Sequence, residues 1–202
     1  MNAPTDEQLL SDFVEGRQAG FELLVRRYAA ELHQFTQRVT GSAAAAEDVV
    51  QETFLQVFHS ASTFDRTRRL KPWLFTIAAN KAKDYLRRRT RRREVPFEAQ
   101  LRTDDESQQR FLDLLSSDGP EPEEPLDDEE RRRVVAAMVD DMPEKLREVL
   151  VLAYFHKLPY REISQVVEVP LGTVKSRLHA AVAWFGEKYR EMPTAPHVEK
   201  ET

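Results

Sequence analysis

Thr173, Lys175, Ser176, Arg177 and His179 bring two hydroxyls, an ammonium, a guanidinium and an imidazole into one short stretch. Such groups donate hydrogen bonds and carry positive charge, which is the chemistry of base edges and phosphates. The flanking residues say how they are positioned. Over Pro159–Ala183, Tyr160, Ile163 and Val167 recur at helical spacing with Val166 beside them, while Arg161, Glu162 and Gln165 fall outside that stripe. Pro170 is expected to stop this helix one or two residues early, because proline disfavours helical geometry in the residue before it. Gly172 and Thr173 then offer flexibility and a capping oxygen for a new start. In the second helix Val174, Leu178, Ala181 and Val182 form the buried face. A short helix, a turn and a second helix that is basic near its N-terminus describe a helix-turn-helix, whose second helix enters the major groove. Periodicity alone fits an ordinary helical hairpin with a solvated polar face equally well.

A second set combines Phe64 and Asn80 with Arg66, Arg68, Arg69, Lys81, Lys83 and Arg87. Single-stranded nucleic acid needs a basic track for its phosphates and a stacking surface for unstacked bases. Phe64 supplies an aromatic for stacking and Asn80 an amide for base edges. The plainer reading assigns Phe64, Trp73 and Tyr85 to the core, which suits Trp73. A third set, Asp48, Gln51, Glu52 and Leu55, lies beside an apolar helical stripe. Its plain reading is a solvated acidic face.

A chain of 202 residues with 41% hydrophobic and 32% charged content allows one domain or two small ones. Six glycines and no sustained strand alternation point to an all-α protein. The formal net charge of −5 is segregated: Arg66–Arg93 holds twelve Lys or Arg and one acid, whereas 94–130 holds fourteen acids against Arg102 and Arg110. The absence of cysteine excludes disulfides and Cys-based zinc sites. His33, His59, His156, His179 and His197 show no metal-ligand spacing, so no metal or cofactor is expected. A polar N-terminus and the lack of any long apolar run suit a soluble, cytoplasmic protein with no membrane insertion.

In order, Thr5 to Gln8 has the spacing of a capping box ahead of Leu9, Leu10, Phe13 and Val14. Gly16 to Gly20 reads as a loop. Phe21, Leu24, Val25, Tyr28, Leu32 and Phe35 stripe one long helix, which Gly41 breaks; Ser42 caps the next. There Ala46, Val49, Val50, Thr53, Phe54, Val57 and Phe58 align on one side. Pro72 suits the first turn of a fourth helix. Residues 96–127 read as an acidic, proline-containing linker. Helices resume around 128, Pro143 starts another, and the chain from 193 is a frayed tail. The expected architecture is two small helical domains, 1–95 and 128–192, joined by that flexible linker.

The segments AAEDVVQETFLQVF, STFD, PWLFTIAANKAKDYLRR and VPLGTVKSRLHAA, in this order, resemble the extracytoplasmic-function sigma factors of bacterial RNA polymerase. The resemblance implies a promoter-melting domain over Phe21–Arg93 and a −35-reading domain over 128–189. It implies that Asp48, Gln51, Glu52 and Leu55 grip core polymerase. Phe64, Arg66, Arg68, Arg69, Asn80, Lys81, Lys83 and Arg87 would meet the −10 element, duplex or melted. Thr173, Lys175, Ser176, Arg177 and His179 would meet the −35 duplex. An anti-sigma factor is a further implied partner, and no enzymatic activity is implied. Glu168 stands where the family often has glycine, Ser164 where alanine is common and Ala180 where many members have arginine. The first two are expected to loosen the turn, and the third removes one DNA contact. Two other readings stand beside this one: a stand-alone helix-turn-helix regulator, and an enzyme using acids such as Asp104 and Asp105. The second lacks a phosphate-cradling loop or a nucleophile–base set.

Overall fold

The computed structural model describes residues 3–90 and 128–190. The expected linker and tail, with Arg91 to Arg93, lie outside the described residues. Among the described residues every regular element is helical: α1 Asp6–Val14, α2 Gln18–Thr40, α3 Ala43–Ser60 and α4 Leu70–Thr90, then α5 Asp128–Asp141, α6 Glu144–Leu150, α7 Tyr160–Val166 and α8 Leu171–Arg190. A short 3-10 turn, Ala61–Thr63, follows α3, and a π turn, Val151–Phe155, prolongs α6.

Local chemistry sets most of these bounds. The Thr5 hydroxyl accepts from Gln8 N–H at 3.2 Å while the Gln8 amide accepts from Thr5 N–H at 2.9 Å, a reciprocal cap of about 1 kcal/mol. Ser42 caps α3 through Ala45 N–H, and the Pro143 carbonyl receives Leu146 and Arg147 N–H groups to open α6. Gly41 ends α2 at φ 68°, the left-handed position that favours glycine. One cap comes from afar: Leu70 N–H at the start of α4 donates to Glu7 Oε1 of α1 at 3.0 Å.

α1 to α4 bury the expected stripe of Leu24, Tyr28, Leu32 and Phe35 against Leu74, Phe75, Ala78 and Ala82. In the C-terminal group, Val149, Leu150, Ile163, Val166, Val174, Leu178 and Val182 are buried. The two sets merge into one apolar cluster, so the C-terminal helices lie directly against α2 and α4.

Three local expectations give way to packing. Gly20 lies inside the first turn of α2, where an added Cβ would stand 2.3 Å from the Leu9 carbonyl oxygen; glycine lets α1 and α2 approach. Gly172 and Thr173 are already helical, and the Pro170 carbonyl, accepting from Thr173 and Val174 N–H, opens α8 instead. Phe58 is 49% exposed, its ring 5.0 Å from Phe13 and 5.5 Å from Phe21 at the bundle's rim.

Candidate functional site

Register explains the outer face of α3. Val49, Thr53 and Val57 turn inward, with the Thr53 hydroxyl satisfied by the Val49 carbonyl at 2.6 Å. Asp48 and Gln51 are therefore exposed, Glu52 is half-buried, and Leu55 is 60% exposed. A leucine this bare among carboxylates makes an apolar anchor with acidic surroundings, suited to a basic partner surface. Glu52 is 3.5 Å from Lys81 of α4, so the acidic face and the basic face share an edge.

The basic face is built by α4 and the loop before it. Asn80 is exposed, Lys81 and Lys83 are half-buried, and Arg87 is exposed 3.7 Å from Asp84 on its own helix. In the loop, Asp65 accepts from Thr67 N–H at 3.0 Å and the Thr67 hydroxyl at 2.7 Å, which holds its carboxyl below the usual range. Arg68 is exposed, and Arg66 donates to the Ser11 hydroxyl at 3.0 Å. Phe64 does not stand out from the loop: it is 8% exposed, with its ring 4.8 Å from that of Trp73. Its neighbour Trp73 is the less buried of the two. Stacking a base on Phe64 therefore requires the loop to move.

Two cations of this face are already engaged by the C-terminal helices. Arg69 Nη1 lies 2.5 Å from Glu162 Oε1 of α7. Lys83 Nζ lies 2.9 Å from Glu148 Oε1 of α6, whose side chain is 4% exposed. Burial pushes the Glu148 carboxyl up, with Lys83 pulling it back. Nearby, His156 sits at 5% exposure with its ring 4.9 Å from Phe75 and 5.7 Å from Phe35. Its Nδ1 is 3.4 Å from Glu31 Oε1, and Lys71 bonds both Glu31 and, at 3.4 Å, the His156 carbonyl. Burial outweighs Glu31 and lowers the imidazole to about 4. Arg147, also buried, donates to the Asp140 carbonyl and, at 2.8 Å, to the Val39 carbonyl of α2. The Arg38 guanidinium covers the Phe155 ring at 3.9 Å. Sequence reasoning missed these contacts. Their one sequence signal is the pair Arg147 and Glu148 set between Leu146 and Val149, directly ahead of the apolar run Val149–Phe155.

The helix-turn-helix stands as its spacing implies. Lys175, Ser176 and His179 are exposed, Thr173 and Arg177 are half-buried, and Val174 and Leu178 face the core. Lys175 and His179, four residues apart, share the outer side of α8. Arg177 turns away, and its charge bears on Glu148. The turn is not loose. Glu168 takes the left-handed conformation at φ 56°, and the Ser164 hydroxyl donates to the Val169 carbonyl at 2.6 Å, closing the loop.

What these faces offer is cations, amides and hydroxyls on rigid helices. Among the described residues no three His, Cys, Asp or Glu side chains gather as metal ligands, and no helix is long and apolar enough to cross a membrane. Residues 24–92 match the family model of sigma-70 region 2, and residues 132–185 that of sigma-70 region 4. The chain is 33% identical over 177 residues to the ECF RNA polymerase sigma-E factor of Haemophilus influenzae, covering 88% of this chain and 91% of that one. It is 28% identical over 178 residues to the ECF RNA polymerase sigma factor SigW of Bacillus subtilis, covering 88% and 93%. It shares the fold of CnrH, solved in complex with the cytosolic domain of CnrY, at a TM-score of 0.65 and 24% identity over 92% of this chain and 97% of that one.

Proposed function

We propose residue roles for a chain that belongs to the extracytoplasmic-function group of the sigma-70 family. It is a transcription initiation factor: it binds core RNA polymerase, directs it to promoters by their −35 and −10 elements, and promotes melting. The single observation that carries the assignment of roles is the separation of three faces on one helical frame. The outer side of α3 is acidic with a bare leucine, α4 and its loop are basic, and the start of α8 is a basic, hydroxyl-bearing helix end.

Asp48, Gln51, Glu52 and Leu55 hold a basic, partly apolar surface of the polymerase. Leu55 anchors, and the carboxylates select and orient. Arg66, Arg68, Arg69, Lys81, Lys83 and Arg87 track the phosphates of the −10 strand. Asn80 reads a base edge, and Phe64 stacks once its loop has opened. Melting costs a few kcal/mol per unstacked base, roughly, which captured bases and phosphate contacts offset. No bond is made or broken by the chain itself. On α8, Lys175 and His179 reach base edges with Thr173 and Ser176 beside them, and Arg177 serves phosphate or packing. The working units are 1–95 and 128–192 with 96–127 as a spacer. The protein acts in the cytoplasm beside the polymerase, with an anti-sigma factor as its restraining partner.

The first test is gel filtration of the chain with purified core polymerase. The two should elute together, and the mixture should start transcription at discrete sites. Separate elution of a folded chain contradicts it.

A further inference from the structure

α4 begins without a cap from its own flank. Arg69 directly precedes it, and an arginine side chain has no hydrogen-bond acceptor. The place where Ser, Thr, Asp or Asn would cap the helix is given to a cation of the basic loop. The cap comes from α1 instead: Leu70 N–H donates to Glu7 Oε1 at 3.0 Å, and the carboxylate suits the positive end of the α4 dipole. Four residues on, Ser11 shares that side of α1. Its hydroxyl accepts from Arg66 Nη1 at 3.0 Å and gives its own proton to Glu15 Oε1 at 3.2 Å. Two acceptors one helical turn apart thus hold two points of the loop.

α1 is itself fixed. Asp6 accepts from the Arg27 guanidinium and the Tyr28 hydroxyl of α2, and Leu9 and Leu10 are buried. Gly20 lets the Leu9 carbonyl lie close against α2. The loop is different: Asp65, Arg66, Thr67, Arg68 and Arg69 are all exposed between buried Phe64 and Leu70. Thr67 bonding Asp65, and Arg68 N–H donating to the Asp65 carbonyl at 3.0 Å, give it a shape. Those bonds are local and do not place that shape on the bundle. The two bonds from α1 do. Ser11 also orients Arg66 without neutralising it, because a hydroxyl carries no charge.

The geometry assigns Glu7 and Ser11 of α1 as positioning residues for −10 selection: they fix where residues 65–69 present their side chains to the promoter strand, without touching DNA themselves. This rests on the reading of that loop as a −10 contact and adds to it a specificity element on a neighbouring helix. Hydrogen bonds weaken steeply with distance and angle. A displaced loop therefore loses most on the sequence whose contacts are best aligned, and less on a sequence already misfitted.

The experiment uses the full chain with core polymerase. The probe is a linear fragment carrying one start site found by run-off transcription of genomic DNA with the unaltered chain. A copy has one −10 base replaced, chosen as the replacement that weakens opening most. Opening is read from permanganate reactivity of thymines at the start site, which both fragments share. Glu7→Ala with Ser11→Ala should lower opening on the original fragment about tenfold and narrow the preference between fragments about fivefold, the factor for one lost cap. Core polymerase binding should stay within about twofold. Glu7→Gln keeps an oxygen acceptor and should hold the preference. Thr5→Ala weakens the cap of α1 alone and controls for lost stability. Should the alanine pair not fold, Ser11→Ala alone carries the test, with a narrowing of about two- to threefold. An unchanged preference, an equal loss on both fragments, the same narrowing in Thr5→Ala, or full narrowing in Glu7→Gln overturns the assignment. Arg66→Ala with Arg68→Ala tests the reading it rests on. If opening and preference survive these, the −10 role of the loop falls and takes the assignment with it. If they suffer while the alanine pair on α1 changes nothing, the role of α1 alone falls.

Discussion

α3 and α4 are neighbours in one bundle, with similar lengths and equally polar outer faces, but they present those faces differently. On α3, Asp48 and Gln51 are exposed and Leu55 is 60% exposed. On α4 and its loop, Lys83 and Arg69 are held by Glu148 and Glu162 from the C-terminal helices, and Phe64 is packed on Trp73. The difference lies in what each helix packs beside. α3 has the protein on one side only, whereas α4 is enclosed between the N-terminal bundle and α7. The outer face of α3 is therefore open to a partner, while part of the α4 face is taken up within the chain.

The largest effect expected is on the open face. Asp48→Lys with Glu52→Lys reverses two charges, and like-charge contacts in an interface cost several kcal/mol, so polymerase binding should fall by roughly a hundredfold or more. Helical content and thermal unfolding should barely change, since Asp48 is exposed and the Glu52–Lys81 pair at 3.5 Å is worth little. Binding by a folded double variant at the original strength would erase the contrast between the two helices.

Next comes acid sensitivity of the enclosed face. His156 is lowered to about 4 in the folded chain by burial, against 6.5 for a free imidazole. Glu31 on α2 favours its charged form, while Lys71 of α4 and Arg38 of α2 oppose it. Between those two pH values the unfolded chain binds more protons than the folded one. The contribution of His156 to stability is therefore fully present above about pH 6.5 and is lost as pH falls toward 4. From pH 7.5 to 5 this is about 2 kcal/mol. Glu148, pushed up by burial, works in the opposite sense. The urea midpoint of unfolding should drop on acidification from pH 7.5 to 5, and His156→Gln should flatten that drop. An unaltered slope in His156→Gln would assign the acid response to other groups.

On α8, Lys175→Ala and His179→Ala should each cost roughly 1–3 kcal/mol at one −35 base pair and shift the preferred sequence. Arg177→Ala should weaken all sites alike. Selection from a library randomised at the −35 element tells these apart, and the reverse pattern would exchange the two roles.

The smallest effect is in the turn. A non-glycine residue at φ 56° carries about 1 kcal/mol of strain, partly offset by the chain entropy glycine adds. Glu168→Gly should stabilise the protein by roughly 0.5–1 kcal/mol in urea unfolding. A loss of stability would mean that the Glu168 side chain supports the turn.

How much of this was legible in the sequence depended on range. Caps at Thr5, Ser42 and Pro143 were readable because donor and acceptor lie within four residues. The shared face of Lys175 and His179 was readable from helical periodicity, and the stripe from Leu24 to Phe35 likewise. Glu7 capping Leu70 across 63 positions, and Arg147 reaching the Val39 carbonyl across 108, have no local period to betray them. The pairing of Glu162 with Arg69 spans 93 and was equally invisible. Glu162 read as an ordinary solvent-side residue of α7, which it is until α4 is laid beside it. Phe64 was ambiguous for another reason: an aromatic in a basic loop suits a stacked base and a small core alike, and only the position of Trp73 decides which it meets first.

The most direct test of the account is run-off transcription from fragmented total genomic DNA by core polymerase, alone, with this chain, and with the Asp48→Lys, Glu52→Lys variant. A discrete set of transcripts should appear only with the chain, start at sites that share two short upstream elements, and disappear with the variant. The same transcripts at full strength from the folded variant, or none with the unaltered chain, would contradict it.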